Sequence, residues 1–257
     1  MSKIENFLNQ CIVLDTETTG DDSKTAEIIE SGFVVRKNGN WEVFQDLHKP
    51  VKTEIPPKIE SICYITNEMV ENCAPFSASA SNFQNIVNQY KNGYVVAHNY
   101  SYDRDVLENN GIVLPKKSIC TWRIAAKLFM DVDEVAETNL PYLRFALKLD
   151  IPIEMRCHRA GYDSLITGHL LETMIYLLIE YGMLDQNADI GEQLCELSNS
   201  PIIYKRMPFG KHKGQLMTEV PTSYWNWAMK NTSWFDESAD DFNADLAASI
   251  HAALEDQ

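Results

Sequence analysis

The sequence has no run of eighteen or more apolar residues, so it offers no helical segment built to span a bilayer. Its opening residues, MSKIENFLNQ, lack the apolar centre and small-residue cleavage site of a secretory signal, and the expected location is cytoplasmic. Cysteine is present but unpatterned. None of Cys11, Cys63, Cys73, Cys120, Cys157 and Cys195 forms a C-x-x-C pair, which argues against a zinc ribbon, and the spacings show no compact disulfide framework. Reduced thiols in core or half-buried positions are expected. Internal repeats and low-complexity tracts are also missing. Positive charge is scarce: 22 Lys and Arg stand against 37 Asp and Glu, a net charge of −15. A surface of that sign repels phosphates, unless bound divalent cations reverse it locally.

The charge is uneven along the 257 residues. Lys205, Arg206, Lys211, Lys213 and Lys230 face a single acid, Glu219, between residues 201 and 235. The stretch that follows carries Asp236, Glu237, Asp240, Asp241, Asp245, Glu255 and Asp256 and no Lys or Arg. The expected division is a main domain over 1–183, a linker over 184–200, a small basic and aromatic module over 201–235, and an acidic tail over 236–257.

Within the main part, CIVLD (11–15) reads as a buried strand ending in a carboxylate. EIIESGFVVRK (27–37) and WEVFQDLH (41–48) flank Asn38-Gly39-Asn40, a hairpin signature. YVVA (94–97) reads as another buried strand. Helices are expected over 66–73, 79–91, 121–130, 142–149 and 159–181, and from a cap at Ser101 to just before Gly111. Strands come first and helices later, which predicts an α/β fold, a mixed sheet with helices packed on it.

Asp15 and Glu17 sit at a strand end, and period two places both side chains on one face. Two adjacent acids repel, so a cation or a proton must compensate. Asp103 lies where a strand gives way to a helix, in HNYSYD (98–103), and Asp105 is close by. His158 and Asp163 lie in HRAGYD (158–163). Five residues apart on one helix they would point about 140° apart. They share a cleft only if His158 precedes the helix and Asp163 sits in its first turns. Four acids on separate segments can surround two divalent cations, and hard oxygen ligands suit Mg²⁺ or Mn²⁺. A nearby imidazole can take the proton from an attacking water. A zinc site from Cys157, His158 and His169 is a poor alternative, because acids outnumber nitrogen and sulfur donors at matched spacing.

DTETTG (15–20), HNYSYD (98–103) and HRAGYD (158–163) resemble, in order and spacing, the three motifs of the DEDDh exonuclease superfamily. The resemblance covers about residues 10 to 182. It implies a ribonuclease H-like fold, a small C-terminal module and 3′→5′ hydrolysis of terminal phosphodiester bonds with release of 5′-mononucleotides. It implies that Asp15, Glu17, Asp103 and Asp163 bind two Mg²⁺ or Mn²⁺ ions and that His158 is the general base. Thr18 and His98 are implied at the substrate, although His98 could equally serve the structure of the strand end. Tyr102 departs from the phenylalanine usual in the second motif and adds a hydroxyl. SICTWRIAAKLF (118–129) and MPFGKHKGQLMTEVPTSYWNWAMKN (207–231) are similar to segments of bacterial exodeoxyribonucleases of that superfamily. Lys211 and Lys213 could hold phosphates and Tyr224, Trp225 and Trp227 could stack bases, although helical spacing sends most such rings to a core.

The substrate implied is DNA, single-stranded or with duplex 3′ ends. RNA is the alternative, because water rather than the 2′-hydroxyl attacks in either case. A non-catalytic nucleic-acid-binding protein on the same scaffold is a third reading, opposed by competent residues at all five key positions. No membrane partner is expected, and the sequence does not speak to oligomeric state.

Overall fold

Alternation along β1 (Cys11–Thr18) divides the main core in two: Cys11 and Val13 enter one apolar cluster, Ile12 and Leu14 another. The computed structural model describes residues 2–130, 135–152, 154–155, 157–239 and 242–255, so Asp240, Asp241 and Asp256 of the acidic stretch lie outside the described residues. β2 (Ile28–Lys37) and β3 (Asn40–Leu47) pair antiparallel through a turn at Asn38 and Gly39, with φ of 51° and 82°. Two left-handed residues match the twist of a two-residue hairpin. β4 (Tyr94–Ala97) and β5 (Lys117–Cys120) add parallel to the other side of β1, giving the order β3-β2-β1-β4-β5. The short strand β5 carries no apolar alternation and has no sequence signature of its own.

The helix Ala160–Glu180 covers one face of this mixed sheet, with Ile166, Leu170 and Met174 packed on Val13, Val34 and Val96. The helices Phe76–Val87 and Tyr100–Asn109 cover the other, with Phe83, Val106 and Leu107 against Ile12, Leu14 and Val95. The architecture is therefore a mixed sheet flanked by helices. Among the described residues no helix is long and apolar enough to cross a membrane.

Several details depart from the sequence reading. The helix after β4 starts at Tyr100 behind Asn99, whose φ of 72° turns the chain sharply. Ser101 therefore lies inside the first turn rather than capping it. The stretch expected as a linker holds the helix Ile190–Asn199, with Ile190 and Leu194 in the same core as β1. Its four-residue apolar spacing is a helical stripe too short to stand out beside the polar residues around it. The described chain divides into two compact units, Met1–Asn199 and Ser200–Gln257. In the second, the acidic stretch is not a free tail. The helix Ala244–Glu255 supplies Leu246 and Ile250 to a cluster around Met207, Met217, Val220 and Trp225. The many acids of the stretch hide that apolar stripe in a charge count.

One contact sets the position of the long helix. Gly32 in β2 lies directly under its start: a Cβ there would meet the Ala160 carbonyl carbon at 2.2 Å and the Gly161 nitrogen at 2.3 Å. Both are backbone atoms and cannot rotate away. Gly32→Ala is therefore expected to cost about 3 kcal/mol, the upper end for overpacking, and to push the helix start off the sheet. Thermal or denaturant unfolding checks it; a stability within experimental error of the unaltered chain would contradict the close packing.

Candidate active site

Asp15 and Glu17 follow Val13 in parity and so face the long helix; their partners across β2 are Gly32 and Glu30. The helix start is tied down here. Glu30 is fully buried and receives Nη2 of Arg159 at 2.6 Å and Nε at 3.1 Å, while the Ala160 N–H donates to its Oε2 at 2.8 Å. A charge-assisted fork of this kind fixes geometry as well as charge. His158 precedes the helix with φ of 63° and gives its backbone N–H to Asp163 Oδ2 at 2.9 Å. That reversal turns the exposed imidazole back toward Asp163 in the first helical turn. Ligand atoms of Glu17, His158 and Asp163 come within 4.8 Å of one another.

Asp103 arrives from the opposite direction, in the first turn of the helix Tyr100–Asn109. It is 3% exposed, and its Oδ1 accepts from Thr16 N at 2.9 Å and Thr16 Oγ1 at 2.8 Å. The bonds lock it to the residue between Asp15 and Glu17. Asp105, the neighbouring candidate, pairs instead with Arg104 at 2.7 Å on the surface.

Four carboxyls thus share one partly dry site. Burial first, then Asp103, Asp163 and Glu17, hold Asp15 well above the ordinary carboxyl range. Burial and then Asp163 push Glu17 up to about 8. Burial raises Asp103 to about 7 against the two bonds from Thr16, and Asp163 to about 7 against the N–H of His158. Asp163 Oδ1 is buried with no hydrogen-bond partner among the described residues. A free buried oxygen beside other carboxylates fits a hard divalent cation, which prefers oxygen donors. Cys157 and His169 are not part of this grouping among the described residues.

Beside the acids opens a cleft of about 450 Å³, bounded by Asp15, His158 and Asp163 and, on its apolar side, by Trp122, Leu140 and Pro141. His98 reaches the same cleft, but its Nδ1 is bonded to Thr121 Oγ1 at 2.9 Å and its Nε2 to the Thr138 carbonyl at 3.0 Å. Burial lowers its pKa to about 4, so it is a neutral wall with both ring nitrogens engaged. The Thr18 hydroxyl is likewise occupied, by the Gly20 carbonyl at 2.7 Å and the Tyr102 hydroxyl at 2.5 Å. The extra oxygen of Tyr102 therefore ties the strand end to the helix that carries Asp103. Lys211 and Lys213 are exposed residues of the second unit. Sequence reasoning passed over Glu30, Arg159 and Trp122. An acid inside the apolar run IIESGFVV was the available sign for Glu30; nothing marked Trp122 out from a core ring.

A group with a folded pKa above its unfolded value stabilises the fold below about pH 4, and that contribution is lost as pH climbs through the folded values. In chelator, the melting temperature is therefore expected to fall from pH 5 to pH 9, and Asp103→Asn should flatten the fall. A melting temperature that rises across this range would contradict the clustering.

The Exonuclease family model matches residues 12–171. A second family model, named for a quorum-sensing-regulated virulence factor, matches residues 196–237. Exodeoxyribonuclease 10 of Escherichia coli (strain K12) is 27% identical over 223 residues, 85% of this chain and 90% of that protein. The 3'-5' exonuclease DinG of Bacillus subtilis (strain 168) is 33% identical over 164 residues, 61% of this chain and 16% of that protein. A solved structure of exonuclease X in complex with 5' overhanging duplex DNA superimposes with a TM-score of 0.53 at 26% identity, covering 74% of this chain and 99% of that one. The ribonuclease H-like sheet, the three motifs and these likenesses agree, and the chain belongs to the exonuclease family, in its DEDDh 3′→5′ branch.

Proposed function

We propose that the chain hydrolyses DNA from its 3′ end and releases 5′-mononucleotides, with Asp15, Glu17, Asp103, Asp163 and His158 as its catalytic set. The observation that carries this reading is the unpartnered, buried Oδ1 of Asp163 within a group that also holds Glu17 and His158. The DNA preference draws on the relatives, one named as an exodeoxyribonuclease and one solved with duplex DNA. Asp15, Glu17, Asp103 and Asp163 would hold two divalent cations, Mg²⁺ or Mn²⁺, which supply charge compensation to the entering and leaving oxygens of the phosphoryl group.

The remaining work falls to the chain's own residues. Asp103, fixed by Thr16, and Asp163, fixed by the His158 N–H, present their carboxylates without rearrangement. Pre-set charge of this kind stabilises a transition state at no further reorganisation. The His158 imidazole is exposed, with a pKa lowered by partial desolvation, so it is neutral at neutral pH and able to accept a proton from water at Nδ1 or Nε2. The wall of Trp122, Leu140 and Pro141 suits the sugar and base of a terminal nucleotide and keeps bulk water from that side.

The test uses the purified chain with matched DNA and RNA oligonucleotides, labelled at either end, with Mg²⁺ and then with EDTA. Mg²⁺-dependent shortening from the 3′ end, faster on DNA, is expected. Asp15→Ala should lower kcat by about 10³-fold or more, as for the loss of a transition-state charge stabiliser. His158→Ala should lower kcat by about 10²- to 10⁴-fold without moving the Mg²⁺ titration midpoint. Unchanged turnover by Asp15→Ala would defeat the assignment. Faster trimming of RNA would move the substrate to RNA, and a shifted Mg²⁺ midpoint would make His158 a ligand rather than the base.

A further inference from the structure

The second unit carries a feature that its own folding does not need. Of its neighbouring rings, Trp225 is fully buried, yet Trp227 is 52% exposed. The exposed indole is not loose. It lies against Tyr224 with ring centroids 5.7 Å apart at 31°, and Tyr224 is held in turn by the His212 ring at 4.6 Å. His212 belongs to a closed loop. The Met207 N–H donates to the Gln215 carbonyl and the Gly214 N–H to the Met207 carbonyl, both at 2.8 Å, and the positive φ of Gly210 and Gly214 makes the loop's reversals. That loop presents Lys211 and Lys213 to solvent on either side of His212. Lys230 stands three residues beyond Trp227, on the neighbouring strip of the helix Thr222–Asn231.

An exposed indole braced by other rings, beside a closed loop that bears two exposed lysines, is an unusual combination in a chain of net charge −15. Burying the indole alone would satisfy the fold, and scattering the lysines among the chain's many acids would satisfy solubility. A ligand that matches both has negative charges at regular intervals and a flat face beside each. An acidic peptide has the charge without the repeated faces, and an intact duplex hides its faces in the stack. A single strand of nucleic acid has both.

We propose that the loop 207–215 and the exposed strip of the helix Thr222–Asn231 form a binding site for single-stranded nucleic acid, with Lys211 and Lys213 on phosphates and Trp227 under a base. This assignment takes its ligand class from the active-site reading but needs no turnover to be measured. A strand held here stays near the enzyme between cleavage events, so the site raises the effective concentration of substrate ends.

The test measures binding of fluorescein-labelled dT12 to the full chain by anisotropy, in EDTA, over a series of salt concentrations. Lys211→Gln/Lys213→Gln should reduce the slope of log affinity against log salt by about 1.4, two phosphate contacts at roughly 0.7 each. Trp227→Ala should weaken binding about tenfold with an unchanged slope, and Trp227→Phe should keep most of the affinity. All four side-chain changes are at exposed positions, and an unchanged melting temperature verifies the fold. A wild-type slope in the lysine variant, wild-type affinity in Trp227→Ala, or no binding by the unaltered chain would each overturn the proposal. Failure of the active-site reading would appear separately, as absent Mg²⁺-dependent trimming by the unaltered chain.

Discussion

Backbone touches backbone where the long helix meets β2, and the site depends on that approach. Without a side chain at Gly32, the start of the helix Ala160–Glu180 lies flat on the sheet, directly across from Asp15. The buried fork between Glu30 and Arg159 then holds the helix in that seat. Asp163, one turn in, reaches the strand carboxylates only because both conditions hold. Asp103 reaches them independently through Thr16, so two helices on opposite faces of the sheet converge on one strand end.

The arrangement is costly as a fold. Each carboxyl is partly withdrawn from water and faces others of the same sign, so the ionised cluster works against folding until positive charge arrives. The cation that offsets Glu17, Arg159, is already committed to Glu30. The strain is local, and the apolar layers on both faces of the sheet carry the compensating stability. Function and folding thus pull in opposite directions at one strand end, as they commonly do where a site must bind charge tightly.

Much of this was legible in the sequence where the information is local. Period two put Asp15 and Glu17 on one face, and the five-residue offset excluded His158 from the helix that carries Asp163. The Asn-Gly pair announced the hairpin. What stayed hidden depends on residues distant in the chain. Gly32 reads as an ordinary strand glycine until Ala160 is known to lie over it. Glu30 reads as a polar interruption until its register with Glu17 and its pairing with Arg159 are known. The helices Ile190–Asn199 and Ala244–Glu255 were missed because their apolar stripes are narrow and their surroundings strongly charged. Thr18 looked free to meet a substrate, and His98 stood open to that role or a structural one, because a sequence does not reveal which hydroxyls and carbonyls already occupy them.

The helix Ile190–Asn199 has a further effect at the sheet's margin. Ser198 Oγ accepts the Cys120 N–H at 2.7 Å, and the Ser198 carbonyl takes Nε of Arg123 at 2.8 Å, so the helix end is stitched over the rim of β5. An uncovered rim of parallel strand is a template for a second molecule to add to. Shortening the chain to the motif-bearing part alone, at residue 183, would strip away that cover. The fragment would keep every acidic side chain of the cleft and still tend to self-associate through its exposed margin, so the helix after the motifs acts as a guard on solubility.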